Sequence, residues 1–132
     1  MVRIRSIMVH WAPPAIWMAA IFFASATPST HLPSFGSLDY ILKKTGHAVA
    51  YALLALLFRR ALGGTNGHNG QAWILAVAYA LVDEFHQSFV PGRHPSLFDA
   101  FGFDGGGAAT ALLGTIILAR IRESRQQDSF HG

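Results

Sequence analysis

The sequence predicts an all-α fold, an integral membrane bundle of four transmembrane helices with both termini on the cytoplasmic side. Three observations predict it. The chain of 132 residues is 52% hydrophobic and only 13% charged, about half the charged share of an average soluble domain. Its apolar residues gather into four segments separated by turn-forming clusters, and its basic residues are divided unequally between the two ends of those segments. A soluble chain of this length would have to bury nearly all of its apolar content in one small core. Lipid removes that demand by solvating apolar faces.

The first segment covers about residues 11–26. It is short for a span unless the helix begins near Ile4, because about 20 residues at 1.5 Å rise are needed to match a hydrocarbon core of about 30 Å. Pro13 and Pro14 either sit in its first turn or kink it, since proline supplies no backbone donor. Met1 to Arg5, followed by an apolar run ending in Ala24, Ser25 and Ala26, also resembles a secretory signal peptide. The proline pair that interrupts the run, and the three apolar segments that follow, favour a retained helix.

The second segment covers about residues 40–62, the third 71–89 and the fourth 97–121. The punctuation between them is clear: Thr27, Pro28, Ser29, Thr30, His31, Leu32 and Pro33, then the glycine- and asparagine-rich stretch 63–70, then Pro91 and Gly92. No internal repeat, low-complexity tract or linker divides the chain, so residues 1–132 read as one domain. Trp11, Trp17, Tyr40 and Trp73 lie near segment ends, where interfacial anchors are expected.

With the N-terminus inside, Arg3, Arg5, Arg59, Arg60, Arg120, Arg122 and Arg125 fall on one side, against Lys43, Lys44 and Arg93 on the other. That is the sense of the positive-inside rule. The net charge of +3 is then a topology signal, and no nucleic-acid partner is needed to explain it. With no cysteine in the chain, a disulfide framework and a thiolate metal site are excluded.

Where the third segment runs out, Asp83, Glu84, Phe85, His86 and Gln87 place two acids, an imidazole and an amide at the end of a membrane helix. Ionisable groups there are costly and point to function. Helical spacing puts Asp83, His86 and Gln87 on one face and turns Glu84 about 100° away. His47 and Tyr51 share a face of the second helix in the same way. The four-helix topology brings these residues to one extracytoplasmic layer with Ser25, Lys44, Arg93, Ser96 and Asp99. On the fourth helix, Gly102, Gly106, Thr110 and Gly114 recur every four residues, a small-residue stripe of the kind that lets helices approach closely in lipid. Asp99, within a turn of the start of the stripe, is expected to point into the bundle. Asp104 lies off the stripe with no obvious partner.

Taken together, these residues resemble the VanZ-like membrane proteins, a family associated with resistance to the glycopeptide teicoplanin. The resemblance is carried by Ser25 and Pro28; by Lys44, His47 and Tyr51; by Asp83, Glu84 and Gln87; by Pro91, Gly92 and Arg93; and by Ser96 and Asp99. It spans about residues 25–106. Two positions depart from the pattern: Lys43 stands where the family places an aspartate, and Phe103 stands where it places an asparagine. Asp39 and Asp104 are the acids closest to those positions. The resemblance implies a multi-pass protein of the cell membrane with a role at the cell envelope.

Two chemistries suit the cluster. In a binding module, Arg93 with Lys44 nearby would meet an anionic headgroup or another anionic envelope ligand, oriented by Asp83, Glu84 and Asp99, because a guanidinium holds a phosphate or carboxylate by two hydrogen bonds. In an enzyme acting on a lipid-linked or glycopeptide substrate, His47 or His86 with Glu84 and Asp99 would supply a general acid and base. Binding is the favoured reading, with membrane lipid as partner and no cofactor. A metal on His47, His86, Asp83 and Asp99 lacks a ligand signature. Against both stands a purely structural network of Asp83, Glu84, Arg93 and Asp99, with His47 bridging helices. Transport is a third class, which four helices without repeats support only if the chain forms a homo-oligomer. His10, His31, His68, His94 and His131 are expected to be solvated.

Overall fold

The computed structural model describes residues 2–28 and 38–131, with side chains for 7–28 and 38–127. His31 and the side chain of His131 lie outside the described residues. Four long helical rods and no strand make up the described part: α1 (Val2–Ala26), α2 (Leu38–Ala61), α3 (Asn69–Gln87), and a last rod in which a short α4 (Leu97–Asp99) passes through one π turn (Ala100–Asp104) into α5 (Gly105–His131). A 3-10 turn, Asn66–His68, leads into α3.

Helix α1 starts at Val2, well before residue 11, so Pro13 and Pro14 lie inside it and do not open it. A membrane helix tolerates such prolines because neighbouring helices and local adjustments satisfy the carbonyls they leave free. Helix α2 ends on Arg59 and Arg60, cations placed favourably at the negative end of the helix dipole. The chain then reverses through Gly63 at φ 122° and Gly64 at φ 75°, whose N–H groups return to the Arg60 carbonyl at 3.2 Å and the Arg59 carbonyl at 2.9 Å, a glycine cap of the Schellman kind. Arg59 also ties down the connection that follows, donating to Asn69 Oδ1 at 2.9 Å and Asn66 Oδ1 at 3.2 Å. His68, expected to be solvated, is half-buried there with Nδ1 2.8 Å from the Thr65 hydroxyl.

Three stretches, Ile7–Ala26, Leu38–Ala61 and Leu97–Gln127, are long and apolar enough to cross a membrane. Helix α3 is not one of them. Its 19 residues reach about 28 Å, but Asn69, Gly70 and Gln71 at one end and Asp83, Glu84, His86 and Gln87 at the other confine its apolar stretch to the middle.

Helix α2 runs through the centre, with Tyr51, Leu54, Ala55 and Phe58 buried. Against it lie Ala72, Ala76 and Ala80, a four-residue stripe on α3, and Ala108 and Leu112 of α5. The small-residue packing expected of Gly102, Gly106, Thr110 and Gly114 is therefore made elsewhere. Gly102 and Thr110 are exposed, and a Cβ on Gly106 or Gly114 would meet nothing within 4 Å. The close approach belongs to Gly107, where an added Cβ would lie 2.2 Å from the Ala48 carbonyl oxygen. The π turn is the reason. It inserts one residue into the helical repeat, so the buried face that carries Asp99 and Ala100 resumes five residues on, at Asp104 and Gly105, before continuing through Ala108 and Leu112.

Two tryptophans also leave the role expected of them. The Trp17 indole donates to Ala50 O and the Trp73 indole to Gly105 O, each at 2.9 Å. Both rings are partly buried between helices, where a side-chain donor must find an acceptor. Trp11 and Tyr40 remain exposed.

Candidate ligand-binding site

The polar residues converge on the end of the bundle where α1 finishes and α2 begins. A cleft of about 570 Å³ opens there, with Lys44 and His47 of α2, Glu84 and Gln87 of α3, Arg93 and Ser96 of the following connection, and Asp99 of α4 in its wall. Asp39, Tyr40, Lys43 and His94 complete it. From the sequence Tyr40 reads as an anchor, His94 as solvated and Lys43 as a departure with Asp39 nearby, although the four-residue spacing of Asp39 and Lys43 is that of a helical ion pair.

Charges in the cleft are matched unevenly. Lys43 pairs with Asp39, and Lys44 reaches across from α2 to pair with Asp99. The Lys44 ammonium also lies 5.6 Å from the Tyr40 ring centre and 5.8 Å from that of Phe103, within cation–π range. Phe103 thus contributes a π face where an asparagine was expected. Glu84 accepts the backbone N–H of Ser96 at 2.7 Å, so Ser96 enters the site through its main chain and fixes where α4 starts.

Arg93 behaves differently from the network expected of it. Its guanidinium donates to the Thr27 carbonyl at 3.2 and 3.4 Å and to the Ala24 carbonyl at 3.3 Å. These carbonyls lie at the end of α1 and just past it, where the last turn leaves acceptors with spare capacity, and a cation is favourable beside them. Among the described residues no carboxylate lies within ion-pair distance of Arg93.

Beneath the cleft is a second, closed layer. Ser25 Oγ donates to Asp83 Oδ2 at 2.8 Å, and Gln87 Nε2 donates to the same oxygen at 3.0 Å. This joins α1 to α3 at full burial. Tyr51 is 0% exposed, and its hydroxyl and Asp83 Oδ1 are buried with no hydrogen-bond partner among the described residues. Asp83 and Glu84 are both buried although about 100° apart on the helix, because one faces α1 and the other the connection to α4. His86 belongs to neither layer: its ring stacks on Phe22 of α1 at 4.1 Å.

Asp104 joins the site against expectation. The π turn carries it to the buried face, where it is 2% exposed and its Oδ1 lies 3.5 Å from His47 Nδ1. His47 thereby bridges α2 and the last rod, with its ring 6.3 Å from that of Tyr51. A regular helix would have brought residue 103 to this place. No sequence signal marks a π turn, which is why the aspartate looked unpartnered.

A smaller cavity of about 340 Å³ lies between α1 and α2. It is lined by Trp17, Ala20, Ile21, Ala24, Leu42, Gly46 and Ala50, with Ser25 and Tyr51 at its polar edge. Lys43, His47 and Arg93 line this cavity and the cleft alike. Among the described residues no group of three or more histidines and acids is placed to hold a metal ion.

A family model described as VanZ/LLP1 matches residues 8–119. The chain belongs to the VanZ/LLP1 family. That match takes in α1, α2, α3 and most of the last rod, and so covers every residue of the cleft as well as Ser25 and Asp104. No curated protein and no solved structure matches the chain. This VanZ/LLP1 membrane protein therefore carries its polar residues as one cleft above a buried hydrogen-bonded layer, assembled from all four rods.

Proposed function

We propose that this VanZ/LLP1 protein is a four-span protein of the cell membrane, N-in and C-in, whose cleft faces the outside and binds the anionic group of an envelope ligand. Arg93 carries the reading. It lines both cavities, is held in place by the last carbonyls of α1 and, unlike Lys43 and Lys44, has no carboxylate partner among the described residues. With Nε and Nη2 committed to those carbonyls, the Nη1 N–H groups of a fixed guanidinium are left to donate to a phosphate or carboxylate. The test is binding of dihexanoyl phosphatidylglycerol, with dihexanoyl phosphatidylcholine as the zwitterionic control, to purified protein in neutral detergent. Arg93→Lys keeps the charge and loses the planar guanidinium. A drop in affinity of about tenfold or more supports the reading, as hydrogen bonds to charged groups are worth about 1.5–3 kcal/mol; unchanged affinity overturns it.

The family's association with teicoplanin extends this proposal to the cell. If the cleft acts on the same envelope surface that the glycopeptide attacks, expression of the protein raises the teicoplanin concentration needed to stop growth, and Arg93→Gln abolishes the increase.

A second reading rests on the His47–Asp104 pair beside Glu84, a set of groups suited to proton transfer on a lipid-linked or glycopeptide substrate. It predicts turnover that disappears in Glu84→Gln. Turnover that persists in that variant removes Glu84 from any acid or base role.

A further inference from the structure

We infer that the ligand is a phosphate-bearing lipid of the surrounding leaflet, whose hydrocarbon chain enters sideways between α1 and α2 while its headgroup rests in the cleft. The inference rests on the reading of Arg93 given above and adds the chain.

Four observations carry it. The cavity between α1 and α2 is mostly apolar and shares Lys43, His47 and Arg93 with the cleft, so the two adjoin and one amphipathic molecule can reach across both. Ala20, Ala24, Leu42 and Gly46 in its lining are exposed on the outer surface of the bundle, within two stretches long and apolar enough to cross a membrane. Small residues face one another across it, Ala20 and Ala24 on α1 and Gly46 and Ala50 on α2. In lipid such residues ordinarily draw helices together, yet here they border about 340 Å³ of open space. Trp17, whose N–H is committed to the Ala50 carbonyl, adds indole surface to this wall.

Charge is arranged to suit the occupant. Arg93 and Lys43 stand at the junction of the two cavities, where the phosphate of a lipid lies when its chain runs along α1 and α2. The volumes of about 340 and 570 Å³ both fall in the range usual for small-molecule sites, about 300–1,000 Å³. A soluble anion would use the cleft and leave the apolar cavity without a role.

Gly46 provides the test, because it lines the groove and a Cβ there meets nothing within 4 Å, so a larger side chain can be placed at its rim without striking the backbone. Three probes are titrated into purified full-length protein in neutral detergent: monooleoyl lysophosphatidic acid, glycerol 3-phosphate, which is its headgroup alone, and monooleoylglycerol, which is its chain without phosphate. Wild type is expected to prefer lysophosphatidic acid to both. Gly46→Phe is expected to weaken lysophosphatidic acid about tenfold, which is what excluding two methylenes amounts to, with glycerol 3-phosphate unchanged. Ala24→Leu, on the facing helix, is a second obstruction should Gly46→Phe lower the thermal midpoint. If both variants keep full affinity for the lipid while Arg93→Gln loses it, the chain lies elsewhere and this inference fails alone. If Arg93→Gln changes nothing, the headgroup reading fails with it. Equal affinity for monooleoylglycerol overturns the phosphate requirement.

Discussion

Gly107 of α5 and Ala48 of α2 bring two helix backbones together so closely that a Cβ on Gly107 would lie 2.2 Å from the Ala48 carbonyl oxygen and 2.8 Å from its carbon. The atoms in the way are main chain, so no rotamer change relieves the clash and α2 itself must move. Overpacking of this kind costs about 1–3 kcal/mol and sometimes more. Gly107→Ala is therefore expected to lower the thermal midpoint in detergent, and because α2 carries Lys44 and His47 it should weaken the cleft as well. Gly106→Ala and Gly114→Ala, where an added Cβ meets nothing, are expected to melt like wild type. Equal midpoints for the 106 and 107 variants would falsify the assigned packing face.

The same register change governs Asp104. With the π turn in place, Asp104 faces His47 and Phe103 faces the Lys44 ammonium. Asp104→Asn removes the charge opposite His47 at nearly constant shape. In a double-mutant cycle with His47→Gln, measured by detergent unfolding, a coupling of about 0.5–3 kcal/mol is expected. The cycle of Phe103→Leu with His47→Gln is expected to be additive within about 0.5 kcal/mol. The reverse pattern would show the rod to be a regular helix through this region.

Much of this architecture was legible before the structure was known, and the failures have two causes. The four segments followed from hydropathy, and the gathering of His47, Glu84, Gln87, Arg93 and Asp99 at one end followed from alternating helix direction. The positions of Asp104 and the glycine stripe did not follow, because each was placed by a 3.6-residue period and one extra residue in the π turn shifts every later side chain by about 100°. Arg93 was assigned to the acids because opposite charges were the only partners visible in a sequence. The carbonyls at the end of α1 are supplied by the backbone and leave no mark there. Trp17 and Trp73 looked like interfacial anchors for a similar reason: indole donors bound to main-chain acceptors of neighbouring helices cannot be told from exposed ones by composition.

Glu84 offers a way to separate structure from chemistry. Its carboxylate accepts the Ser96 N–H at 2.7 Å, the bond that sets the start of α4. Glu84→Gln keeps a carbonyl oxygen in that place, so its stability is expected to stay near wild type. Glu84→Ala leaves a partly buried N–H unpaired, at a cost of about 1–3 kcal/mol. Thermal melts of the two variants beside lipid titrations make the comparison. A Glu84→Gln protein that melts normally and still binds lysophosphatidic acid confines the residue to positioning α4.

Whether α3 crosses the bilayer decides which way the cleft faces, and the absence of cysteine in the chain makes this directly measurable. Thr65, before α3, and His94, after it, are both exposed, so a single cysteine at either position reports one end of that helix. If α3 spans, Thr65→Cys and His94→Cys lie on opposite sides. With the arginine-rich ends inside, a membrane-impermeant maleimide added to intact cells labels His94→Cys and leaves Thr65→Cys untouched until the cells are opened. Should α3 instead lie along the surface, its polar ends and apolar middle resting at the interface, the two positions share a side and label together. Labelling of Thr65→Cys alone preserves the four spans but turns the cleft inward, where an envelope ligand cannot reach it. The same two variants, tested for lysophosphatidic acid binding before labelling, show that the topology measured belongs to the folded protein.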